Sequence, residues 1–175
     1  MIFRIARRER PRSAGRDLYD AAVRQARATS LYATLGAPDT VEGRFEILTL
    51  HVILLIEALR GRGEDARVSS QALFDAYLSD LDGALREMGV GDLTVGKRMR
   101  SLGGAFYGRA ASYREALGVM PDRRPLEALI ARTIQADATG VDPTGLASYV
   151  TRCWDRLSGA DTTTLLEAEA SWPEL

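Results

Sequence analysis

Residues 91–97 of this 175-residue chain read G-D-L-T-V-G-K, the first seven positions of a phosphate-binding loop. In such a loop the glycines let backbone N–H groups wrap phosphate, and the lysine reaches the outer phosphates. A following Ser or Thr hydroxyl then holds Mg²⁺. Here the next residue is Arg98, a cation that cannot ligate a metal ion. The loop must also follow a buried strand. Leu73, Phe74, Tyr77, Leu78, Leu81, Leu85 and Met88 precede it at spacings of one, three and four, which trace a helical face. The stretch therefore reads as helix, glycine-containing turn, helix, and the nucleotide reading is set aside.

Other residues that could do chemistry are sparse. His51 is the only histidine, in the middle of the apolar run I-L-T-L-H-V-I-L-L-I-E-A-L. It reads as a core histidine with a simple hydrogen-bond partner rather than a base or a ligand. Cys153 is the only cysteine, which excludes an internal disulfide and a cysteine metal cluster. It falls at an apolar helical position and reads as packing. No His-x-x-His, Glu-x-x-His or cysteine pair offers a metal site, and no cofactor is expected. A helical enzyme or small-ligand-binding protein with a pocket near His51 is the alternative these residues leave open.

The elements that must position such residues are helices. The chain is 46% hydrophobic and 27% charged, with net charge −1, as in a globular domain without a nucleic-acid signature. Residues 17–28 read as a first helix. Asp39 with Glu42 three residues on makes a capping pair for a helix from about Val41 to Arg60. That helix is the most apolar of the chain and should be the central core helix; its apolar stretch is too short to span a membrane. Residues 61–70 read as a polar link, and the next helix runs to Met88. Another starts near Val95, capped by Asp92 or Thr94. Its stripe Val95, Met99, Leu102, Phe106, Ala110, Tyr113 and Leu117 alternates spacings of three and four. Further helices follow over 126–138, from Asp142 and Pro143, and after Asp161. No segment alternates with period two. The expected fold is all-α, a single compact domain of six to seven helices. Residues 17–159 form the domain proper, and 160–175 a short helix and tail.

Residues 1–16 carry six arginines against one glutamate. With little apolar surface to bury, they read as an arm outside the domain, disordered or surface-associated, of which residues 1–14 should be removable without loss of the fold. Arg4, Arg7 and Arg8 could meet anionic lipid there while nearby apolar residues dip into the bilayer. The basic residues of the whole chain are 22 arginines and a single lysine, Lys97. Such a bias suggests a high-GC, bacterial genome.

The turn around residue 90 stands out as a surface. Gly89 and Gly91 suggest a turn that needs positive φ or close approach. Lys97 and Arg98 sit near a helix N-terminus, where the dipole disfavours cations by about 0.3–1 kcal/mol each. Gly103 and Gly104 cost the same helix about 1 kcal/mol each relative to alanine. They make sense if another backbone packs closely there, from within the fold or from a partner. Arg86 follows Asp82 by four, as in a helix-surface ion pair.

Residues 38–59 (PDTVEGRFEILTLHVILLIEAL) and 71–109 (QALFDAYLSDLDGALREMGVGDLTVGKRMRSLGGAFYGR) resemble the ubiquinol–cytochrome c chaperone family. The match runs over about 17–155. Its most specific parts are DLDGALREMGVGDLTVGKRMR and the downstream FYGR. The resemblance implies an all-helical, non-enzymatic assembly factor that binds newly made cytochrome b and helps it enter the cytochrome bc1 complex. For mitochondrial members it implies a small partner protein and a ribosome contact. For bacterial members it implies action at the cytoplasmic face of the inner membrane. The client-binding surface is expected at Asp80, Arg86, Gly89, Gly91, Asp92, Lys97 and Arg98, with Phe106 and Tyr107 two to three turns beyond the lysine.

Because Arg98 replaces the metal-binding hydroxyl, calorimetry with ATP or GTP and Mg²⁺ is expected to give no binding. Micromolar affinity would restore the phosphate-loop reading.

Overall fold

The computed structural model describes residues 2–136, 141–167 and 172–174, the side chains of residues 2–9 lying outside that description. Among the described residues all regular structure is helical. The order is α1 (Ile2–Ala26), α2 (Thr29–Ala33), α3 (Val41–Leu59), α4 (Glu64–Glu87), α5 (Asp92–Gly118), α6 (Arg124–Thr133), α7 (Thr144–Gly159) and α8 (Thr162–Leu166). The eight helices include two of only five residues, α2 and α8.

Helix α3 is the axis. Ile47, Leu50, Val52, Ile53, Leu54, Leu55, Ala58 and Leu59 are all buried, so from Ile47 on the helix is enclosed by its neighbours, while its first turn at Val41 is exposed. It packs against α1, α4, α5 and α7. Its N-cap is Thr40, whose hydroxyl accepts from the Gly43 N–H at 3.0 Å. Asp39, expected to cap, instead accepts from Arg44 Nε at 2.6 Å. The reason is local geometry: Thr40 holds the extended backbone that an N-cap needs.

Helix α1 begins at Ile2 rather than at residue 17, which corrects the reading of 1–16 as an arm. Pro11, Ala14 and Gly15 are buried against α4. The Ser69 hydroxyl donates to the Pro11 carbonyl at 2.8 Å. A Cβ on Gly15 would lie 2.6 Å from the Ala72 Cβ and 2.9 Å from the Leu73 nitrogen, and nearer still to the Ser69 carbonyl. Close approach of two helices through small residues buries this segment, and apolar content does not report it. The side chains of Arg4, Arg7 and Arg8 lie outside the described residues.

Most of the predicted polar link is also helical, since α4 starts at Glu64. Gly61 and Gly63, at φ +74° and +95°, make the turn, and Glu64 and Asp65 then meet the helix dipole. Helix α5 starts three residues earlier than expected. Gly91 is its N-cap, without a side-chain cap, so neither Asp92 nor Thr94 fills that role.

The packing at Gly15 makes a paired prediction. Gly15→Ala should lose about 1–3 kcal/mol by overpacking. Gly104→Ala, with nothing within 4 Å of the added Cβ, should gain about 1 kcal/mol. Denaturant melts would measure both. An unchanged midpoint for Gly15→Ala would mean that α1 and α4 do not approach this closely.

Candidate functional site

Most polar side-chain atoms inside the bundle are hydrogen-bonded; among the described residues Gln135 Oε1 and Trp172 Nε1 are buried without a partner. His51 is fully buried, and its Nδ1 lies 2.7 Å from the Ile47 carbonyl. That carbonyl can only accept, so Nδ1 carries the proton. Nε2 then accepts from the Tyr149 hydroxyl at 2.7 Å, and Gln25 Nε2 donates to the same hydroxyl at 2.9 Å. Trp172 stands edge-on to the imidazole at 4.9 Å. Burial lowers His51 to about 4, against the opposing pull of the Ile47 hydrogen bond. Cys153 is also buried, and burial pushes its thiol up to about 12, far from a thiolate. Both ring nitrogens are occupied and the thiol stays protonated, so this cluster is a hydrogen-bonded core rather than a reaction centre. Among the described residues no group of His, Cys, Asp and Glu could hold a metal ion.

The surface around the 88–91 turn is different. Helices α4 and α5 form a hairpin. Gly89, at φ +79°, closes α4 as its N–H donates to the Arg86 carbonyl at 2.9 Å and that of Val90 to the Leu85 carbonyl at 3.0 Å. Arg86 bridges the two helices: its Nε donates to Asp82 at 2.6 Å and its Nη1 to Asp92. Lys97, Arg98 and Arg100 are exposed and enter no ion pair among the described residues. A Cβ on Gly96, Gly103, Gly104 or Gly108 would meet nothing within 4 Å. The glycines of α5 are thus not explained by packing within the described fold, although they weaken the helix.

The second half of α5 is anchored to α3. Arg109 forks onto Glu46, with Nε–Oε2 at 2.7 Å, and Arg114 forks onto Glu57 with both bonds at 2.8 Å. Arg60 holds Glu57 as well. Burial pushes the Glu57 carboxyl up, but the two guanidinium groups outweigh it and leave it below the usual range. Between the anchored part of α5, the end of α3 and α4 lies a groove of about 290 Å³. Ile56, Leu59, Phe74, Phe106 and Tyr107 give it an apolar lining, and Arg60 and Arg67 stand among its polar residues. Phe74 sits 4.8 Å from Phe106 and 5.6 Å from Tyr107, centroid to centroid.

The structure sorts the expected surface residues into three places. Arg86, Gly89, Gly91, Asp92, Lys97 and Arg98 gather at the hairpin. Phe106 and Tyr107 line the groove, Phe106 buried and Tyr107 64% exposed. Asp80 faces the other side of α4, where it accepts from the Tyr19 hydroxyl at 2.6 Å and lines a larger polar groove with α1. It is engaged in holding α1. Gly91, at φ −65°, needs no special backbone freedom, whereas Gly89 does. Residues 92–97 are helical and follow a helix, so the G-x-x-x-x-G-K match has no phosphate cradle. Sequence reasoning missed Phe74, Ile56 and Leu59 as groove residues and Tyr149 and Gln25 as the partners of His51. Their helical spacing marks core faces but not which faces meet.

The ubiquinol-cytochrome C chaperone family model matches residues 33–172. The ubiquinol-cytochrome-c reductase complex assembly factor 1 of Xenopus laevis is 26% identical over 167 residues, covering 90% of this chain and 80% of that protein. The crystal structure of the Cbp3 homolog from Brucella abortus superposes with a TM-score of 0.87 at 32% identity, covering 99% of this chain and 97% of the other.

The buried neutral imidazole makes stability depend on pH. Unfolded His51 takes up a proton near 6.5 and folded His51 only near 4, so the unfolded state binds more protons between those values. Stability should fall as pH drops through that window, by about 2 kcal/mol from this group between pH 7 and 5. His51→Gln should flatten the slope while costing about 1–2 kcal/mol at pH 7. Urea melts of both proteins at pH 7, 6 and 5 check this, and parallel pH profiles would refute it.

Proposed function

Because the chain belongs to the ubiquinol–cytochrome c chaperone family, we propose that it binds newly made cytochrome b and carries it into the cytochrome bc1 complex. The family assignment makes it an assembly chaperone of that complex, and the client is the proposed part. The observation that carries the client reading is the groove beside Tyr107, apolar at its floor with arginines beside it, next to a helix whose outward glycines are uncovered. A membrane-protein segment presents apolar side chains beside polar loop ends. A recess with an apolar centre and a charged border suits it. The second half of α5 is held rigidly by Glu46 and Glu57, so the groove needs little rearrangement to receive a segment.

In this reading Lys97 and Arg98 engage polar or acidic parts of the client, Phe106 and Tyr107 its apolar side chains, and Arg86, Gly89, Gly91 and Asp92 hold the turn in shape. The protein acts without catalysing a reaction, at the cytoplasmic face of the inner membrane. No helix among the described residues is long and apolar enough to cross a membrane. A small partner protein, and a ribosome contact, belong to the same proposal by family likeness.

Affinity capture from detergent-solubilised native membranes tests the client, with cytochrome b expected to co-purify. Lys97→Glu with Arg98→Glu should weaken that capture tenfold or more, about 1.4 kcal/mol, at an unchanged melting temperature. Normal bc1 assembly in cells carrying the double variant would return these residues to an ordinary solvated face.

A further inference from the structure

The apex of the α4–α5 hairpin carries two large apolar side chains that the fold does not use. Leu93 is 100% exposed and Met88 60% exposed. Neither lines the groove beside Tyr107 or the one beside Tyr19. Both are held outward by a defined turn: the Gly89 closure of α4, the Arg86 bridge to Asp82 and Asp92, and the burial of Val95 one half-turn on.

Charge surrounds them in an uneven way. Lys97 follows Leu93 by four residues and Arg100 by seven, so the three share one face of α5. Those cations and Arg98 are in no ion pair among the described residues. Arg86 is shared between Asp82 and Asp92, and Glu87 lines the groove towards α1, so these acids are only partly offset at the turn itself. The apex is therefore aliphatic at its tip, with an excess of positive charge on the Lys97–Arg100 face of α5 just behind it. An anionic bilayer complements that order in depth, with acyl chains below and phosphates above. A single projecting leucine asks no shape complementarity of its partner, which a fluid interface does not offer.

We propose that the hairpin apex, through Met88 and Leu93 with Lys97 and Arg100 behind them, docks the protein on an anionic lipid surface. This goes beyond client binding and assigns the apex a partner other than the one in the groove. Flotation of the full chain with vesicles of phosphatidylcholine containing phosphatidylglycerol, against phosphatidylcholine alone, tests it. Binding is expected to the anionic vesicles only, weakened by salt. Met88→Ser with Leu93→Ser should reduce it about tenfold, and Arg100→Glu should also lower it. All of these side chains are exposed, so melting temperatures should not move. The Met88→Ser, Leu93→Ser protein should still capture cytochrome b in detergent as the parent does. Failure of the parent to float with anionic vesicles would overturn the proposal. So would equal flotation of parent and serine variant, including the case where removing residues 2–9 alone abolishes binding. Parallel loss of vesicle binding and detergent capture in the serine variant would overturn it too, by making the apex a protein contact. If the parent floats as expected but captures no cytochrome b, the lipid assignment stands and the client reading falls.

Discussion

A helix enclosed along most of its length cannot leave its inward polar side chains to water, and α3 carries four of them into the bundle. Each is answered by a different neighbour or a different part of one. Thr49 donates to the Phe45 carbonyl and accepts from Tyr77 of α4 at 2.8 Å. His51 is met by Tyr149 of α7, which Gln25 of α1 supports. Glu46 and Glu57 are forked by Arg109 and Arg114 of α5. An unmatched group in that interior would cost about 1–3 kcal/mol, and more for a charge. The same groups that burial makes expensive thereby set the register of the surrounding helices. Apolar contacts alone would tolerate a slide of one residue more readily.

That arrangement leaves α5 lopsided. Its second half is pinned through Phe106, Arg109, Tyr113 and Arg114. Its first half touches the fold mainly through Val95, which is buried. The free half is also where Gly96, Gly103 and Gly104 meet nothing, where the unpaired cations lie, and where Leu93 stands in solvent. Features that each weaken an isolated helix are concentrated where the bundle gives no return for them. The groove at Tyr107 lies where the two halves of α5 join, so its apolar floor is fixed while its approach is open.

The all-helical class, the central position of α3 and the burial of His51 were legible in sequence because they follow from periodicity and apolar content along a continuous stretch. The i to i+4 pair Asp82–Arg86, and the short helix that follows Asp161, were legible for the same reason. Family likeness was carried by consecutive residues too, and it survives as a match over 33–172.

What sequence could not supply were relations between helices. The first sixteen residues looked too polar and too poor in apolar surface to pack. Pro11, Ala14 and Gly15 nevertheless pack, because small residues let backbones approach and leave no hydrophobic signal. Asp80 looked like a neighbour of Lys97, since helical spacing does not say which side of α4 faces α1. Phe74 and Tyr107 lie on different helices and become one groove wall only when the α4–α5 turn folds the hairpin. Sequence by itself determined that the chain is helical and which face of most of its helices is apolar, whereas the helical state of residues 2–16 and 64–70 did not show in it. Tertiary structure alone decided which faces meet, because contact between helices depends on side-chain size and polar pairing across tens of residues, and neither leaves a periodic trace along the chain.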